Sequence, residues 1–326
     1  MIPETKKPRK RASPPPVFFQ TFAYNGNTSA RKVSVRLFSR AAEILNFFRM
    51  TFCFEKETLK MRKSIPSLFA LLFACLMSFS TANAGELIFA EDGSVGYKEN
   101  PKQWWSEYVV HDIRRPIPER VTVDPADLDF APAPPDAKIL FDGTNLDQWR
   151  PTSWKITEDG LLECVSGAVT TKEEFGDFQL HLEFRAPEDL QKYSWGNRGN
   201  NGVLIFGSVE IQIFDNYSQN TYPDGWCGSV YGQTPPLVNA CLPPGNWQTY
   251  DIFFKAPKYD ENGKEIEPAR VTIMLNGVMV QNSTVIYGGT GHGTLPSSFN
   301  GRKTGPIAFS GHGCPVQFRN VWIRSK

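Results

Sequence analysis

From Ala137 to Lys326 the chain is a succession of short segments rich in β-branched and aromatic residues, each ended by Gly, Pro, Asn or Asp: KILFDG, WKITEDGLLECV, FQLHLEFRAP, GVLIFG, VEIQIFD, WQTYDIFFKAP, RVTIMLNGVMVQ, PIAFSGH and VQFRNVWIRS. Such segments suit a pleated, half-buried surface. No stretch offers a sustained apolar period of 3.6 with caps, so helices are not expected. Asp159-Gly160 in TEDGLL and Asn276-Gly277 in MLNGVM are dipeptides favoured in two-residue hairpins, whose central residues must accept positive φ. Many closely spaced strands without crossover helices predict an all-β fold, a two-sheet antiparallel sandwich of the jelly-roll type.

Charge separates this part from what precedes it. Residues 1–84 hold 14 basic and 4 acidic side chains, whereas residues 85–326 hold 21 and 30. At the junction, MRKSIPSLFALLFACLMSFSTANA has a short basic head from Met61, an apolar run from Ile65 to Phe79 and a small-x-small end at Ala82-Asn83-Ala84. That pattern reads as a secretory signal peptide over 61–84, with an apolar run too short to span a bilayer stably. The competing reading is a lipoprotein signal with Cys75 as the lipid-bearing residue. Residues 1–60 do not fit ahead of a signal peptide and read as an early-called start or a disordered extension; their scattered basic groups form no nucleic-acid motif. Residues 85–136 lack periodicity and end in the proline-rich ADLDFAPAPPDA, so they read as an extended leader, whose WWSEYVVHDIRRPIPERVTV is aromatic enough to dock on the main domain. The expected mature chain has no transmembrane span.

Alternation along the strands separates core from outer face. In VEIQIF, Val209, Ile211 and Ile213 face inward, leaving Glu210 and Gln212 together on the other side. In FQLHLEFR, Leu180, Leu182 and Phe184 face inward, leaving His181, Glu183 and Arg185 outside. In TYDIFF, Tyr250, Ile252 and Phe254 face inward and Asp251 lies outside. If these three strands share a sheet, its outer face gathers Glu183, Arg185, Glu210, Gln212 and Asp251 into a polar site. Read singly, each of these charges is a solvated surface group, and Glu183 with Arg185 a rim ion pair.

The loops strengthen the functional reading. WGNRGNNG (195–202), YPDGWCGSVYGQTPPLVNA (222–240), GGTGHGT (288–294) and SGHGCP (310–315) are Gly-rich and loaded with Asn, aromatic and His residues. Loops of this kind in a compact domain are commonly functional. His292 and His312 each stand between two glycines, which leaves the imidazole projecting from bare backbone, suited to acid/base work or metal ligation. Trp195, Tyr222, Trp226 and Tyr231 offer rings for stacking on sugars, with loop anchoring as the alternative. Asn201 and Asn239 are candidate ligand-binding amides. Of Cys164, Cys227, Cys241 and Cys314, the pair expected to bridge is Cys227 with Cys241, both within one Gly/Pro-rich loop; buried free thiols are the alternative.

Read in order, ILFDGTNLDQW, EFGDFQLHLEFR, NNGVLIFGSVEIQIFD, YPDGWCGSVYGQTPPLVNA, NWQTYDIFFKAP and TGHGTLP with GPIAFSGHGCPVQFRNVWIR resemble the family of exported 3-keto-disaccharide hydrolases, also described as 3-keto-α-glucoside-1,2-lyase/3-keto-2-hydroxy-glucal hydratases. The resemblance covers Ala137 to Lys326. It implies a concanavalin A-like jelly roll and a carbohydrate substrate carrying a ketone at C3. That ketone acidifies the hydrogen on C2, so a base removes it and the C1 glycosidic oxygen leaves; water then adds back. On this reading Glu210 is the base or a metal-binding carboxylate, and His312 and His292 supply the acid and the enolate-side contact. Arg185 donates to the ketone oxygen, Glu183 positions it or acts as a second acid/base, and Gln212 holds a hydroxyl. A divalent ion could serve the same electrostatic end, although no ligand spacing specifies one. The rival functions are a non-catalytic carbohydrate-binding module and a calcium-holding envelope scaffold.

Overall fold

The computed structural model describes residues 85–128, 130 and 132–325. The expected extension over 1–60 and signal segment over 61–84 lie outside the described residues. The strands run, in chain order, β1 (Ile88–Phe89), β2 (Val95–Gly96), β3 (Lys138–Phe141), β4 (Lys155–Ile156), β5 (Leu162–Glu163), β6 (Gly167–Phe175), β7 (Phe178–Arg185), β8 (Asn201–Ile205) and β9 (Val209–Ile213). They continue with β10 (Gln248–Lys255), β11 (Lys258–Tyr259), β12 (Glu265–Glu267), β13 (Ala269–Leu275), β14 (Val278–Ile286), β15 (Gly305–Gly311) and β16 (Gln317–Ser325). Among the described residues the helical elements are three short 3-10 turns, at Pro125–Asp127, Trp195–Asn197 and Pro223–Gly225. No helix there is long and apolar enough to cross a membrane.

An eight-stranded antiparallel sheet has the order β14-β13-β10-β7-β16-β5-β4, with β3 also pairing on β16, and a four-stranded sheet has the order β6-β15-β8-β9. This is the expected all-β, two-sheet sandwich. The period-2 reading holds on both sheets: Leu180, Leu182, Phe184, Tyr250, Ile252 and Phe254 are buried from one side, and Val203, Ile205, Val209, Ile211 and Ile213 from the other. Phe206 meets Phe254 edge-on with ring centroids 5.2 Å apart, and Phe309 of β15 stacks on Phe318 of β16 at 4.7 Å, so rings interdigitate across the core. The Tyr250 hydroxyl donates to the Gln212 carbonyl at 2.7 Å, tying β10 to β9 from one sheet to the other.

The two hairpin dipeptides behave differently. Asn276 and Gly277 both have positive φ, 54° and 75°, and join β13 to β14 as the expected two-residue turn. At Asp159-Gly160 only Gly160 is in the left-handed region (φ 72°), and Leu161 closes the turn by accepting from Thr157 N at 2.8 Å, so the connection is a longer loop carrying glycine at its one left-handed position.

Three expectations are corrected. The strands bearing Glu183, Arg185 and Asp251 belong to the eight-stranded sheet and the strand bearing Glu210 and Gln212 to the four-stranded one. Their polar faces are the two opposite outer faces of the sandwich, because alternation assigns a face within a strand and says nothing about which sheet the strand joins. The leader is not simply extended: β1 and β2 form a hairpin, and the chain then folds back so that Tyr97 N donates to His111 O at 2.7 Å and Ile113 N to Tyr97 O at 3.1 Å. Beyond it, Val121 N donates to Asn239 O at 3.0 Å and Asn239 N to Glu119 O at 2.8 Å, which fastens the leader along the 222–240 loop. Finally, Cys227 and Cys241 are neighbours but both are free thiols; Cys227 Sγ lies 3.1 Å from the Tyr250 hydroxyl, and Cys164 and Cys314 are also free and buried.

Removing a buried side chain from this core and removing one buried hydrogen bond should differ in scale. Leu182→Ala is expected to lower the unfolding free energy by about 2–5 kcal/mol, and Tyr250→Phe by about 1 kcal/mol, read from urea midpoints at constant slope. A Tyr250→Phe loss as large as that of Leu182→Ala would mean the hydroxyl does more than link the sheets.

Candidate functional site

The site begins at the exposed edge of the four-stranded sheet. β9 is an edge strand, and after it the chain returns along that edge: Gly228 N donates to Gln212 O at 3.0 Å, Gln212 N to Ser229 O at 3.1 Å and Tyr231 N to Glu210 O at 3.0 Å, with Ile211 opposite Val230. Residues paired across a ladder share a face. Val230 therefore enters the core with Ile211, and Tyr231 comes out beside Glu210. The 3-10 turn Pro223–Gly225 precedes this ribbon; Gly225 has no Cβ because the Tyr222 ring lies against that position. On the far side, Thr290 Oγ1 accepts from Glu210 N at 3.0 Å and Thr290 N donates to Ser208 O at 2.8 Å, which pins the loop carrying His292 to the start of β9.

His292 is exposed to solvent yet held at both ring nitrogens. The Tyr231 hydroxyl lies 2.9 Å and the Tyr222 hydroxyl 3.4 Å from Nδ1, the two phenols are 2.7 Å apart, and the Tyr97 hydroxyl lies 3.1 Å from Nε2. Beneath this cluster the His111 ring stacks on His292 with centroids 5.1 Å apart and meets Tyr222 at 3.9 Å. His111 and Asp224 are both completely buried. Asp224 accepts from the His111 backbone N at 2.9 Å and contacts its ring Nδ1 at 3.0 Å, and Arg115 Nε stands 3.7 Å from the same carboxylate. His111 Nε2 has no hydrogen-bond partner among the described residues. His111 adopts φ 57°, an uncommon conformation for a residue with a Cβ, so the surrounding contacts hold it there.

Electrostatics set these groups at distinct states. The Glu210 carboxyl lies over Gly202, where a Cβ would collide with it, and its one polar contact is a long one, Ser310 Oγ at 3.4 Å. Desolvation there pushes its pKa up to about 7. Burial raises the phenols of Tyr97, Tyr222 and Tyr231, so all three stay protonated donors at neutral pH; the Glu210 charge adds to the shift at Tyr222 and Tyr231. Burial lowers His292, helped by the neighbouring His111, which keeps its imidazole neutral. Asp224 is held below the usual carboxylate range although burial opposes it, because His111 and Arg115 face it. The arrangement couples one carboxyl that can take or release a proton near neutrality to a neutral imidazole set among phenol donors.

Of the residues expected from the sequence, Glu210, His292 and Tyr231 come together here. Trp195 packs at the edge of the same tyrosine cluster, with its indole N–H donating to Asn220 O at 3.2 Å. Gln212 lies beside Glu210 but is covered by the returning loop, its Oε1 without a partner among the described residues. His312 is exposed two residues beyond Ser310, just past the end of β15. Asn201 instead is fully buried, its Oδ1 accepting from Gly202 N at 3.0 Å, near Cys164. Asn239 is a clamp, its side chain donating to Asn216 O at 2.8 Å and accepting from Cys241 N at 3.1 Å.

Glu183, Arg185 and Asp251 are absent from this site and form a network on the other outer face. Glu183 accepts from Arg319 Nε at 2.5 Å and Asn320 Nδ2 at 2.7 Å, and Arg185 donates to Gln317 at 2.7 Å and lies over Trp247. His181 contacts Asp251 at 2.9 Å; although burial opposes it, Asp251 and Glu183 hold its pKa up at about 9. Sequence reasoning missed Tyr97, His111 and Asp224. His111 sits among Val109, Val110 and Ile113, which reads as a core position and is one; the signal available was the density of aromatic residues in the leader. Among the described residues no group of three or more His, Cys, Asp or Glu is gathered to hold a metal ion.

The raised Glu210 carboxyl has a stability consequence. Between its ordinary value of 4.5 and about 7 the folded protein keeps a proton the unfolded chain has lost, so stability contributed by this group falls as pH rises through that window and is flat on either side. The melting-temperature difference between the parent and Glu210→Gln should therefore decline from pH about 4.5 to about 7; a difference independent of pH would place the carboxyl in a solvated setting.

A Parabacteroides distasonis protein provisionally assigned as a glycosyl hydrolase is 38% identical, covering 60% of this chain and 86% of that one, with a TM-score of 0.56. Two further P. distasonis proteins with the same provisional assignment are 19% and 24% identical, with TM-scores of 0.43 and 0.41; they cover 59% and 58% of this chain and 94% and 99% of their own. No curated protein sequence matches the chain. The profile of the 3-keto-alpha-glucoside-1,2-lyase-like domain matches residues 136–324. That match spans more than half of the sequence, so the chain belongs to this carbohydrate-active family.

Proposed function

We propose that the protein is an exported enzyme that cleaves 3-keto-glycosides by elimination and rehydration, with its active site on the outer face of the four-stranded sheet. The observation that carries this reading is Glu210: a carboxyl poised near neutrality, paired across the ladder with Tyr231, next to a histidine ringed by phenols. A base for C2–H must accept a proton and later return one, and a pKa near the working pH serves both steps. Export is supported by the signal-like segment at 61–84.

In the first half-reaction Glu210 takes the C2 proton, the C2–H electrons form the C1–C2 double bond, and the C1–O bond breaks. The enolate oxygen at C3 accumulates charge as this happens and is met by phenol hydroxyls, which are fixed in place before the reaction. The leaving oxygen needs a proton. Tyr231 donating to His292 Nδ1 leaves Nε2–H toward Tyr97, so a proton can pass along Tyr231, His292 and Tyr97 to the leaving group. In the second half-reaction water adds its hydroxyl to C1 and gives its remaining proton back to the relay, left one proton short by the first half-reaction, while Glu210 returns its proton to C2, giving the free 3-keto sugar. His312, near Ser310, is the second candidate acid. His111 and Asp224 are positioning residues that orient the cluster from below and resist its protonation. Arg185, Glu183 and Asp251 take no part, and no step runs through a metal.

Glu210→Gln is expected to lower turnover of a 3-keto-glucoside by about 10²–10⁴-fold, and Tyr231→Phe by a smaller factor. Product masses should include a 2-hydroxy-glucal short of the hydrolysis product by one water. Undiminished turnover by Glu210→Gln would remove the carboxyl from the mechanism.

A further inference from the structure

A groove of about 510 Å³ opens beside the loop that carries His292. Three separate segments wall it: Trp104 from the leader, Tyr259 and Glu265 from the β11–β12 hairpin, and Tyr287, Ser298 and Asn300 from the loop after β14. Trp104 is 62% exposed. Its ring is nearly perpendicular to those of its neighbours, Trp105 at 4.6 Å and Tyr287 at 6.0 Å, so neither stacks flat on it. Trp105 is the ring that stacks, lying at 4.2 Å and 19° on Tyr287. An exposed indole face is costly to leave in water, and here it is held rather than loose.

The hold on Trp104 leads back to the site. The adjacent Gln103 is fully buried and donates to Gly232 O at 2.8 Å, next to Tyr231. Gln233 donates to Gly288 O at 2.9 Å and accepts from Tyr287 N at 2.9 Å, so the same ribbon that presents Tyr231 fixes the groove's floor. Loop 287–301 supplies His292 at one point and groove wall at others. An aromatic plate rimmed by a carboxylate, a hydroxyl and an amide is the chemistry that takes a pyranose ring, with its apolar C–H face on the indole and its hydroxyls on the rim.

We infer that this groove is a second glycosyl subsite, binding the sugar unit on the far side of the scissile bond. The inference rests on the proposed function for its substrate class. It assigns Trp104, which lies outside the matched residues 136–324, as a specificity-determining residue. On this inference the second ring of a disaccharide occupies the groove, and a one-ring substrate leaves it empty.

The test compares the full chain with Trp104→Ala and Trp104→Phe on two substrates, methyl 3-keto-glucoside and a panel of 3-keto-disaccharides. Trp104→Ala should lower kcat/KM at least about tenfold on the preferred disaccharide, through KM, and leave the methyl glycoside unchanged; Trp104→Phe should retain most of the parent's preference. Equal loss on both substrates, or no loss on either, would overturn the subsite. If the parent turns over neither compound, the functional reading fails, and the subsite is judged by binding of unmodified glucose disaccharides followed by intrinsic fluorescence. Saturable binding weakened at least about tenfold in Trp104→Ala sustains it; binding that is absent, or equal in both proteins, overturns it.

Discussion

The pairing of residues 228–231 along β9 is the interaction on which the rest of this site depends. An edge strand presents unpaired N–H and C=O groups, and a returning loop that satisfies them closes the edge. Here three backbone hydrogen bonds to Gln212 and Glu210 do so, and the register they impose is also a chemical one, because it sets Tyr231 on the same face as Glu210. Slip the pairing by one residue and Val230 would leave the core while Tyr231 entered it. Once seated, the ribbon carries Tyr222 and Asp224 with it, and through Gln233 it holds the loop of His292.

The leader completes what the ribbon begins. Tyr97 closes the second nitrogen of His292, and His111 enters the floor with its backbone in the left-handed region. A carboxylate such as Asp224, buried without exposure, would be prohibitively costly unless paired and hydrogen-bonded. The leader supplies both partners, His111 and Arg115, so its docking and the ionised state of Asp224 are mutually dependent. The family profile begins at residue 136, so Tyr97, His111 and Arg115 come from chain outside the matched domain.

The two outer faces of the sandwich illustrate how similar composition leads to different chemistry. On the eight-stranded sheet, Glu183, Arg319, His181 and Asp251 neutralise one another at close range. Each charge there has a partner, which makes the network a stabilising surface and leaves little reactivity. On the four-stranded sheet Glu210 has, among the described residues, only a distant hydroxyl beside its carboxyl, and desolvation without a counter-charge is what brings its pKa to about 7.

Local rules read from the sequence held within each strand. The all-β class, the inward sets on β7, β9 and β10 and the Asn276-Gly277 turn all follow from period-2 alternation and turn stereochemistry, which depend on residues a few positions apart. Sheet membership did not follow, because alternation is blind to which partner a strand chooses, and Glu183, Arg185 and Asp251 were accordingly expected on one face with Glu210 and Gln212, from which the fold separates them. His111 was hidden for a related reason: its apolar neighbours mark it as buried, and only the fold reveals that it is buried against Asp224 and His292, 113 residues away from the carboxylate it contacts. Chemistry that arises between distant segments is decided by long-range packing, which residue order leaves open.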